Sequence, residues 1–278
     1  GESVWAFSSD GGPRFVYRAD GKSFGDGAAA NRRNTYLPDG WVTGMAAWRD
    51  TQAAKSYVYV AQRGKIVTED IAGSRQNKRY VESKQETVDK ITVHDGDNGA
   101  VLASINLARP QSVVVRGDLL YALHQSDQGW EVAAVPLKGG RPQGTWETVF
   151  KVPASMTPFD LEVDRSGRFY VSDTDANKVF QFDSRGAVLR TFGRLSAQKP
   201  GTYDRETLMA PGKLATWTDA DGKDRLIITE YAGPNRVSEW SADDGKLLRE
   251  FATYQTKANN GYAIDPDDAS LIYLPGQG

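Results

Sequence analysis

The stretch that decides the fold runs from Pro158 to Gly193 and reads PFDLEVDRSGRFYVSDTDANKVFQFDSRGAVLRTFG. It contains four short runs rich in Val, Leu, Phe and Tyr, and these runs are separated by Ser-Gly, Asp-Ala-Asn and Ser-Arg-Gly sequences. β-Branched and aromatic residues favour strands, whereas Gly, Asn and Asp favour tight turns. The stretch therefore predicts four strands joined by three hairpin turns.

The same order of strands and turns recurs along the chain. VSDTDANKVFQFDSRGAVLRTF aligns with ITEYAGPNRVSEWSADDGKLLREF when Val179 and Val237 are taken as equivalent. Weaker copies cover residues 112–150 and 42–107, and the second of these carries an inserted hairpin or loop at about 62–88. Four strands per unit and a period of about 40–50 residues are typical of propeller blades. The sequence predicts an all-β fold, a β-propeller of four-stranded antiparallel blades forming a single domain over 1–278. Helical periodicity is nearly absent, and the best candidate for a helix, 204–210, would form one or two turns before Pro211.

Composition excludes several classes of protein. Lys and Arg number 34 and Asp and Glu 36, and this near balance argues against a nucleic-acid partner, which selects a basic surface. The chain contains no Cys and two His, so thiol catalysis, disulfides and a three-His metal site are excluded. No apolar run approaches the roughly 18 residues that a transmembrane helix needs, which predicts no membrane insertion.

The residues of 158–193 resemble the repeat of NHL-type β-propellers. A Pro-led first strand, two Gly turns and a closing Phe-Gly are in place, with the pattern carried by Gly167, Tyr170, Asp173, Asn177, Val179, Phe182, Gly186 and Gly193. The 212–251 unit has Glu230 where the family has Asp. The resemblance implies six blades, four of them complete here, with the two termini jointly supplying the rest. Val4–Phe7 and Leu271–Leu274 both look like second strands, so either one is misassigned or the chain belongs to a longer protein.

One face of a propeller gathers the loops between blades and the loops between second and third strands, and function concentrates on such loops. This rule predicts a set of binding residues at that face: Arg32, Arg33, Trp41, Arg109, Trp130, Tyr231, Asn259 and Asn260. Aromatic side chains there could stack on sugar rings or anchor a protein partner. Trp217 lies within a strand, where packing between blades is expected to account for it.

Asp173, Glu230 and His124 end second strands and are the candidate catalytic residues. The two carboxylates could serve acid–base chemistry or a hard cation, and His124 could act as a general base. The alternative is structural: each carboxylate accepts hydrogen bonds from backbone N–H groups of its own turn, and His124 is a hydrogen-bonded packing residue. His94, next to a turn, is expected to be exposed.

A second acidic run could bind calcium. Asp219, Asp221 and Asp224 alternate around Gly222 in the manner of a calcium loop, although a β-turn at Asp-Gly explains the same residues. The Glu that an EF-hand needs farther along is replaced by strand sequence.

Two functional hypotheses follow. The NHL resemblance favours a binding or scaffold module of a secreted or cell-surface bacterial protein, extracellular or periplasmic, that presents a loop-built face to a protein or glycan without a cofactor. The alternative is a propeller enzyme, such as a lactonase, a lyase or a glycan-cleaving enzyme, that uses Asp173, Glu230 and His124, with Ca²⁺ as its possible cofactor.

Overall fold

The computed structural model describes residues 40–64, 88–96, 99–194, 204–231 and 235–253, together with the backbone of six short strands outside these ranges. Near the N-terminus, β1 (Val4–Phe7) pairs with β2 (Pro13–Tyr17). Near the C-terminus, β22 (Ala263–Ile264) pairs with β23 (Ile272–Tyr273). The hairpin of β5 (Ile66–Asp70) and β6 (Lys78–Glu82) occupies the predicted insertion.

Four antiparallel sheets form consecutive blades of a propeller. Blade 1 contains β3 (Trp41–Asp50), β4 (Lys55–Arg63), β7 (Lys90–Asp95) and β8 (Val101–Asn106). Blade 2 contains β9 (Pro110–Arg116), β10 (Leu119–Ser126), β11 (Gly129–Lys138) and β13 (Glu147–Lys151), with the two-residue β12 (Arg141–Pro142) beside the end of β11. Blade 3 contains β14 (Pro158–Val163), β15 (Phe169–Asp173), β16 (Lys178–Phe182) and β17 (Val188–Phe192). Blade 4 contains β18 (Pro211–Thr218), β19 (Asp224–Glu230), β20 (Asn235–Ser241) and β21 (Leu247–Thr253).

The prediction of an all-β propeller is confirmed, whereas six blades are not: the described part of the chain holds four. The described residues also contain no helix, so the helix expected at 204–210 is wrong where the structure describes it. Backbone N–H groups there bond within a turn, as Thr207 does to Asp204 O at 3.1 Å, and Pro211 then starts β18. Seven residues before a proline are too few for a stable helix without packing.

The strand register confirms the repeat that the sequence predicts. In blade 3, Val179 lies opposite Ser172 and Phe192, and in blade 4, Val237 lies opposite Thr229 and Phe251. Equivalent residues of the alignment therefore occupy equivalent positions in the two sheets.

The core lies between successive blades. Blades 1 and 2 enclose a cluster that includes Tyr59, Ile91 and Leu120. The clusters between blades 2 and 3 and between blades 3 and 4 are likewise built mainly from aromatic and branched side chains. Because both faces of a blade's central strands are covered, polar side chains there need partners. His94 is an example: it is buried, contrary to the expected exposure, and its ring contacts Thr92 Oγ1 at 2.9 Å and Gly99 O at 3.1 Å.

The first strand of each blade lies innermost, and β3, β9, β14 and β18 follow one another in contact; we call the axis that they face the channel. The antiparallel order places the start of each first strand and the end of each second strand at the same end of the channel. We call this end the mouth. Blade 1 and blade 2 approach closely here: a Cβ on Gly44 would lie 2.7 Å from Ser112 Cα, so a side chain does not fit.

Candidate functional site

Asp173 is buried at the end of β15 and holds two stretches of backbone. Its Oδ1 accepts hydrogen bonds from the N–H groups of Asp175 and Ala176, at 3.1 and 2.9 Å. Its Oδ2 accepts the N–H of Thr157, immediately before β14, at 3.2 Å. Asp173 therefore closes its own turn, the structural role that the sequence offered beside catalysis, and also fixes the loop that enters its blade.

Glu230 holds the corresponding loop of blade 4. Its Oε2 accepts the N–H of Met209 at 3.0 Å, and its Oε1 pairs with the buried guanidinium of Arg236 at 2.7 Å. Arg236 also donates to the carbonyl oxygens of Arg205 and Thr207, at 2.7 and 2.8 Å. This carboxylate is therefore part of a buried ion-pair network that fixes the chain between blades 3 and 4.

His124 has a similar position in blade 2. Its Nδ1 contacts Ala108 O at 3.2 Å in the loop that precedes β9, and its Nε2 lies 3.2 Å from Glu131 Oε1 on β11. Burial lowers the pKa of His124, and the nearby Glu131 carboxylate and Ala108 carbonyl partly oppose that effect. Within the described residues, no hydrogen bond or ion pair joins His124, Asp173 and Glu230 to one another.

The predicted binding residues have different surroundings. Arg109, with φ of 40°, folds its guanidinium back onto the carbonyl oxygens of Gln125 and Ser126, both at 3.3 Å. Trp41 and Trp130 are half-buried, and Trp130 packs against the core between blades 2 and 3. Tyr231 is 56% exposed. Arg32, Arg33, Asn259 and Asn260 lie outside the described residues.

The acidic run after β18 lies at the end of the channel opposite the mouth. Asp219 Oδ1 accepts the N–H groups of Asp221 and Lys223, at 3.0 and 2.9 Å, and its other oxygen pairs with Arg225. Asp224 accepts hydrogen bonds from protein donors, among them Thr218 Oγ1 at 2.9 Å. Across the ranges that the structure describes, no group of three or more His, Asp or Glu residues is arranged to hold a metal ion.

Four residues that the sequence analysis did not single out converge at the channel from four different blades. Asp160 Oδ1 accepts hydrogen bonds from Ser112 Oγ at 2.6 Å and from Lys213 Nζ at 2.9 Å, and Asp160 Oδ2 accepts the N–H of Leu214 at 2.8 Å. Lys213 Nζ also donates to Thr43 O at 3.0 Å, which connects blade 4 to blade 1. We call Thr43, Ser112, Asp160 and Lys213 the channel ring. It connects the first strands of all four blades.

A group of side chains that includes the exposed Tyr231 lies next to the ring at the mouth. The Lys213 ammonium lies 5.2 Å from the centroid of the Phe159 ring, and Phe159 packs edge-to-face against Tyr231 with centroids 5.5 Å apart. Gln111 accepts from Arg63 Nη1 at 2.9 Å and donates to Phe159 O at 3.2 Å. We call Arg63, Gln111, Phe159, Lys213 and Tyr231 the mouth surface. Its cations and its exposed aromatic ring are held on strand ends, so it is positioned by the rigid sheets.

A second polar cluster lies farther along the same strands. Arg116 of β9, Glu162 of β14 and Thr216 of β18 meet, with Arg116 Nη2 donating to Thr216 Oγ1 at 3.0 Å and lying 3.8 Å from Glu162 Oε1. Burial raises the pKa of Glu162 to about 7, although the Val163 N–H and the Arg116 charge favour its ionised form. This carboxyl group therefore titrates near neutral pH.

A positional signal for the channel ring exists in the sequence. Pro110, Pro158 and Pro211 begin three of the four first strands, and the second residue after each proline is a ring member. The residue types at that position are Ser, Asp and Lys, so an alignment by similarity does not reveal the ring.

No family model matches the chain, and no curated protein matches it. The chain is similar in structure to a protein of unknown function from Bacteroides caccae, with a TM-score of 0.50 and 9% identity over 91% of this chain and 69% of that one. It is also similar to a structural genomics protein of unknown function from Bacteroides thetaiotaomicron VPI-5482, with a TM-score of 0.48 and 14% identity over 88% of this chain and 54% of that one.

A third similar structure is BBS1N in complex with ARL6DN, with a TM-score of 0.48, 12% identity, and coverage of 90% of this chain and 64% of that one. This chain therefore spans 54–69% of the length of the three structures. At such low identity, the first similarity supports the propeller fold and nothing about function.

Proposed function

We propose that this chain is a binding module that presents its mouth surface to a protein partner. The observation that supports the proposal is the mouth surface itself: an exposed Tyr231 and the cation of Lys213 on blade 4, and the cation of Arg63 at a strand end of blade 1. Rigid aromatic and Arg side chains supply most of the binding energy in many protein interfaces. Prepositioned side chains also lose little conformational entropy on binding.

The geometry supports binding more than the enzyme alternative. The carboxylates of Asp173 and Glu230 each bind backbone N–H groups of an inter-blade loop, and Glu230 also pairs with Arg236. His124 is engaged at both ring nitrogens. These contacts fix the loops between blades and occupy the side-chain atoms of the three residues. A general acid or base instead needs an atom that is free to exchange a proton with substrate.

The finer predictions become part of the same proposal. The NHL resemblance supports a ring of six blades, with β1–β2 and β22–β23 contributing to the blades beyond the four described. It also supports a place outside the cytoplasm, on a secreted or cell-surface bacterial protein. A protein partner is preferred to a glycan because Tyr and Arg are enriched in protein interfaces.

A phage-displayed library of random peptides tests the binding role. Peptides selected on the wild-type protein are synthesised and titrated calorimetrically against Tyr231→Ala and against Trp217→Ala. Trp217 is the matched control because it is an exposed aromatic residue of the same blade, at the far end of β18. Trp217 is 43% exposed, so within the described part of the chain the expectation that it packs between blades is wrong.

We expect Tyr231→Ala to weaken binding at least about tenfold and Trp217→Ala to leave it unchanged. If selected peptides bind both variants as they bind the wild type, or if no peptide is enriched, the proposal is wrong. Binding to a glycan array that disappears in Tyr231→Ala, without peptide binding, would assign the surface to a glycan instead.

A further inference from the structure

The two charged side chains that belong to the mouth surface are both cations, and the exposed carboxylates that the structure describes at this end of the channel, Asp127 and Asp175, lie in the β10–β11 and β15–β16 turns. Lys213 is 40% exposed at its side chain and Arg63 is half-buried, whereas the carboxylate of Asp160 beneath them is only 6% exposed. Solvent therefore meets two cations, and the balancing negative charge lies underneath. Oppositely charged groups across an interface steer association and select the partner.

Both cations retain hydrogen-bonding capacity. The Lys213 ammonium has three N–H donors, and the described residues use two of them, through Thr43 O and Asp160 Oδ1. The Arg63 guanidinium has five, and one interaction of its side chain is found among the described residues, the 2.9 Å bond from Nη1 to Gln111 Oε1. Arg109 is not included with these two cations, because its guanidinium donates to the carbonyl oxygens of Gln125 and Ser126.

The two cations are also held in place independently. Asp160 and the Phe159 ring fix Lys213, whereas Gln111 fixes Arg63. The adjacent rings of Phe159 and Tyr231 provide an apolar flank that reduces access of water to one side of an incoming charged group. A carboxylate is the planar acceptor that suits a guanidinium and that also pairs with an ammonium.

We infer that the mouth surface recognises an acidic segment of its protein partner, with Asp or Glu carboxylates bound at Arg63 and at Lys213 beside an apolar residue that packs on Tyr231. This inference rests on the proposed function, since it names the chemistry of the partner at the same surface.

Fluorescence anisotropy tests the inference with three labelled polymers: poly-L-glutamate, poly-L-glutamine of equal length as the neutral peptide, and polygalacturonate as an acidic glycan. The ionic strength is about 0.15 M, so that long-range electrostatic attraction is screened. The variants are Arg63→Gln and Lys213→Met. Arg185→Gln is the control, because Arg185 is an exposed cation in the β16–β17 turn at the opposite end of the channel. Lys213→Met removes a partner of Asp160 and could weaken binding by destabilising the fold, which a lower urea midpoint would reveal. In that case Arg63→Gln decides the test, since Arg63 bonds to Gln111 and not to Asp160.

We expect poly-L-glutamate to bind the wild type and Arg185→Gln equally, and each mouth variant to weaken that binding about tenfold, while poly-L-glutamine does not bind. The peptides selected from the library should be enriched in Asp and Glu. Two results would overturn this inference and leave the binding role intact. One is that the selected peptides need Tyr231 but contain no acidic residues; the other is that Arg63→Gln binds poly-L-glutamate as tightly as the wild type does. Polygalacturonate binding as tight as that of poly-L-glutamate would overturn the assignment to a peptide.

Discussion

Replacing Asp160 by Asn should lower the free energy of unfolding by about 2–4 kcal/mol. Asn keeps the shape of the side chain but replaces one oxygen by an NH₂ group, so at least one donor of the channel ring loses its acceptor. The Leu214 N–H is buried at this site, and an unsatisfied buried donor costs about 1–3 kcal/mol. Loss of the charged acceptor for Ser112 Oγ adds about 1 kcal/mol. The contribution of Lys213 is discounted because its side chain is 40% exposed and can be hydrated.

The assay is urea unfolding followed by tryptophan fluorescence, which the seven Trp residues make sensitive. Asp127→Asn is the matched control, since its carboxylate is fully exposed and 3.6 Å from Arg109; its effect should stay below about 0.5 kcal/mol. A double-mutant cycle with Lys213→Met isolates the coupling between the two charges. If Asp160→Asn costs less than about 1 kcal/mol, the channel ring does not hold the four first strands as argued.

Three further predictions concern other parts of the structure. Glu162 has a pKa of about 7 in the folded state against an ordinary 4.5, so between these values the folded state binds a proton that the unfolded state does not. The free energy of unfolding should therefore fall by about 2–4 kcal/mol as the pH rises from 4.5 to 8. Urea titrations at each pH should show this fall in the wild type and not in Glu162→Gln. Asp173→Ala should cost about 0.5–2 kcal/mol, the range for loss of a cap, by releasing its turn, and an unchanged melting temperature combined with lost ligand binding would contradict the structural role. Gly44→Ala should cost at least about 2 kcal/mol because its Cβ would meet the backbone of Ser112. Gly212→Ala, whose Cβ would first meet the side chain of the exposed Tyr231, should cost less than half as much in the same assay.

The sequence predicted the blades where local signals repeat. Strand and turn propensities predict four strands and three turns within 158–193, which is where blade 3 lies, and the equivalence of Val179 and Val237 is the observed register. These features depend on neighbours along the chain and on a period of two, both of which the residue types encode. The number of blades depends instead on how the ring closes, and the local pattern says little about that.

The candidate site was harder to predict because it depends on contacts between blades. Asp160 and Lys213 are 53 residues apart, and neither belongs to a motif. Asp173 was correctly located at the mouth, but its residue type could not distinguish a catalytic carboxylate from one that binds N–H groups of two loops. His94 was predicted to be exposed because it is next to a turn, yet a third strand is covered on both faces, and Thr92 Oγ1 and Gly99 O contact its two ring nitrogens.

Stability and recognition are linked at the mouth, but through only one of its two cations. Lys213 is fixed by Asp160, which also joins three first strands, so a change at Asp160 should alter folding and binding together. Arg63 is fixed by Gln111, whose amide bonds to the carbonyl of Phe159 and makes no bond to Asp160. A change at Arg63 should therefore weaken binding while the free energy of unfolding falls by only about 1 kcal/mol, because a single acceptor, Gln111 Oε1, loses its donor. This separation allows the role of the mouth surface to be measured apart from the stability of the ring beneath it.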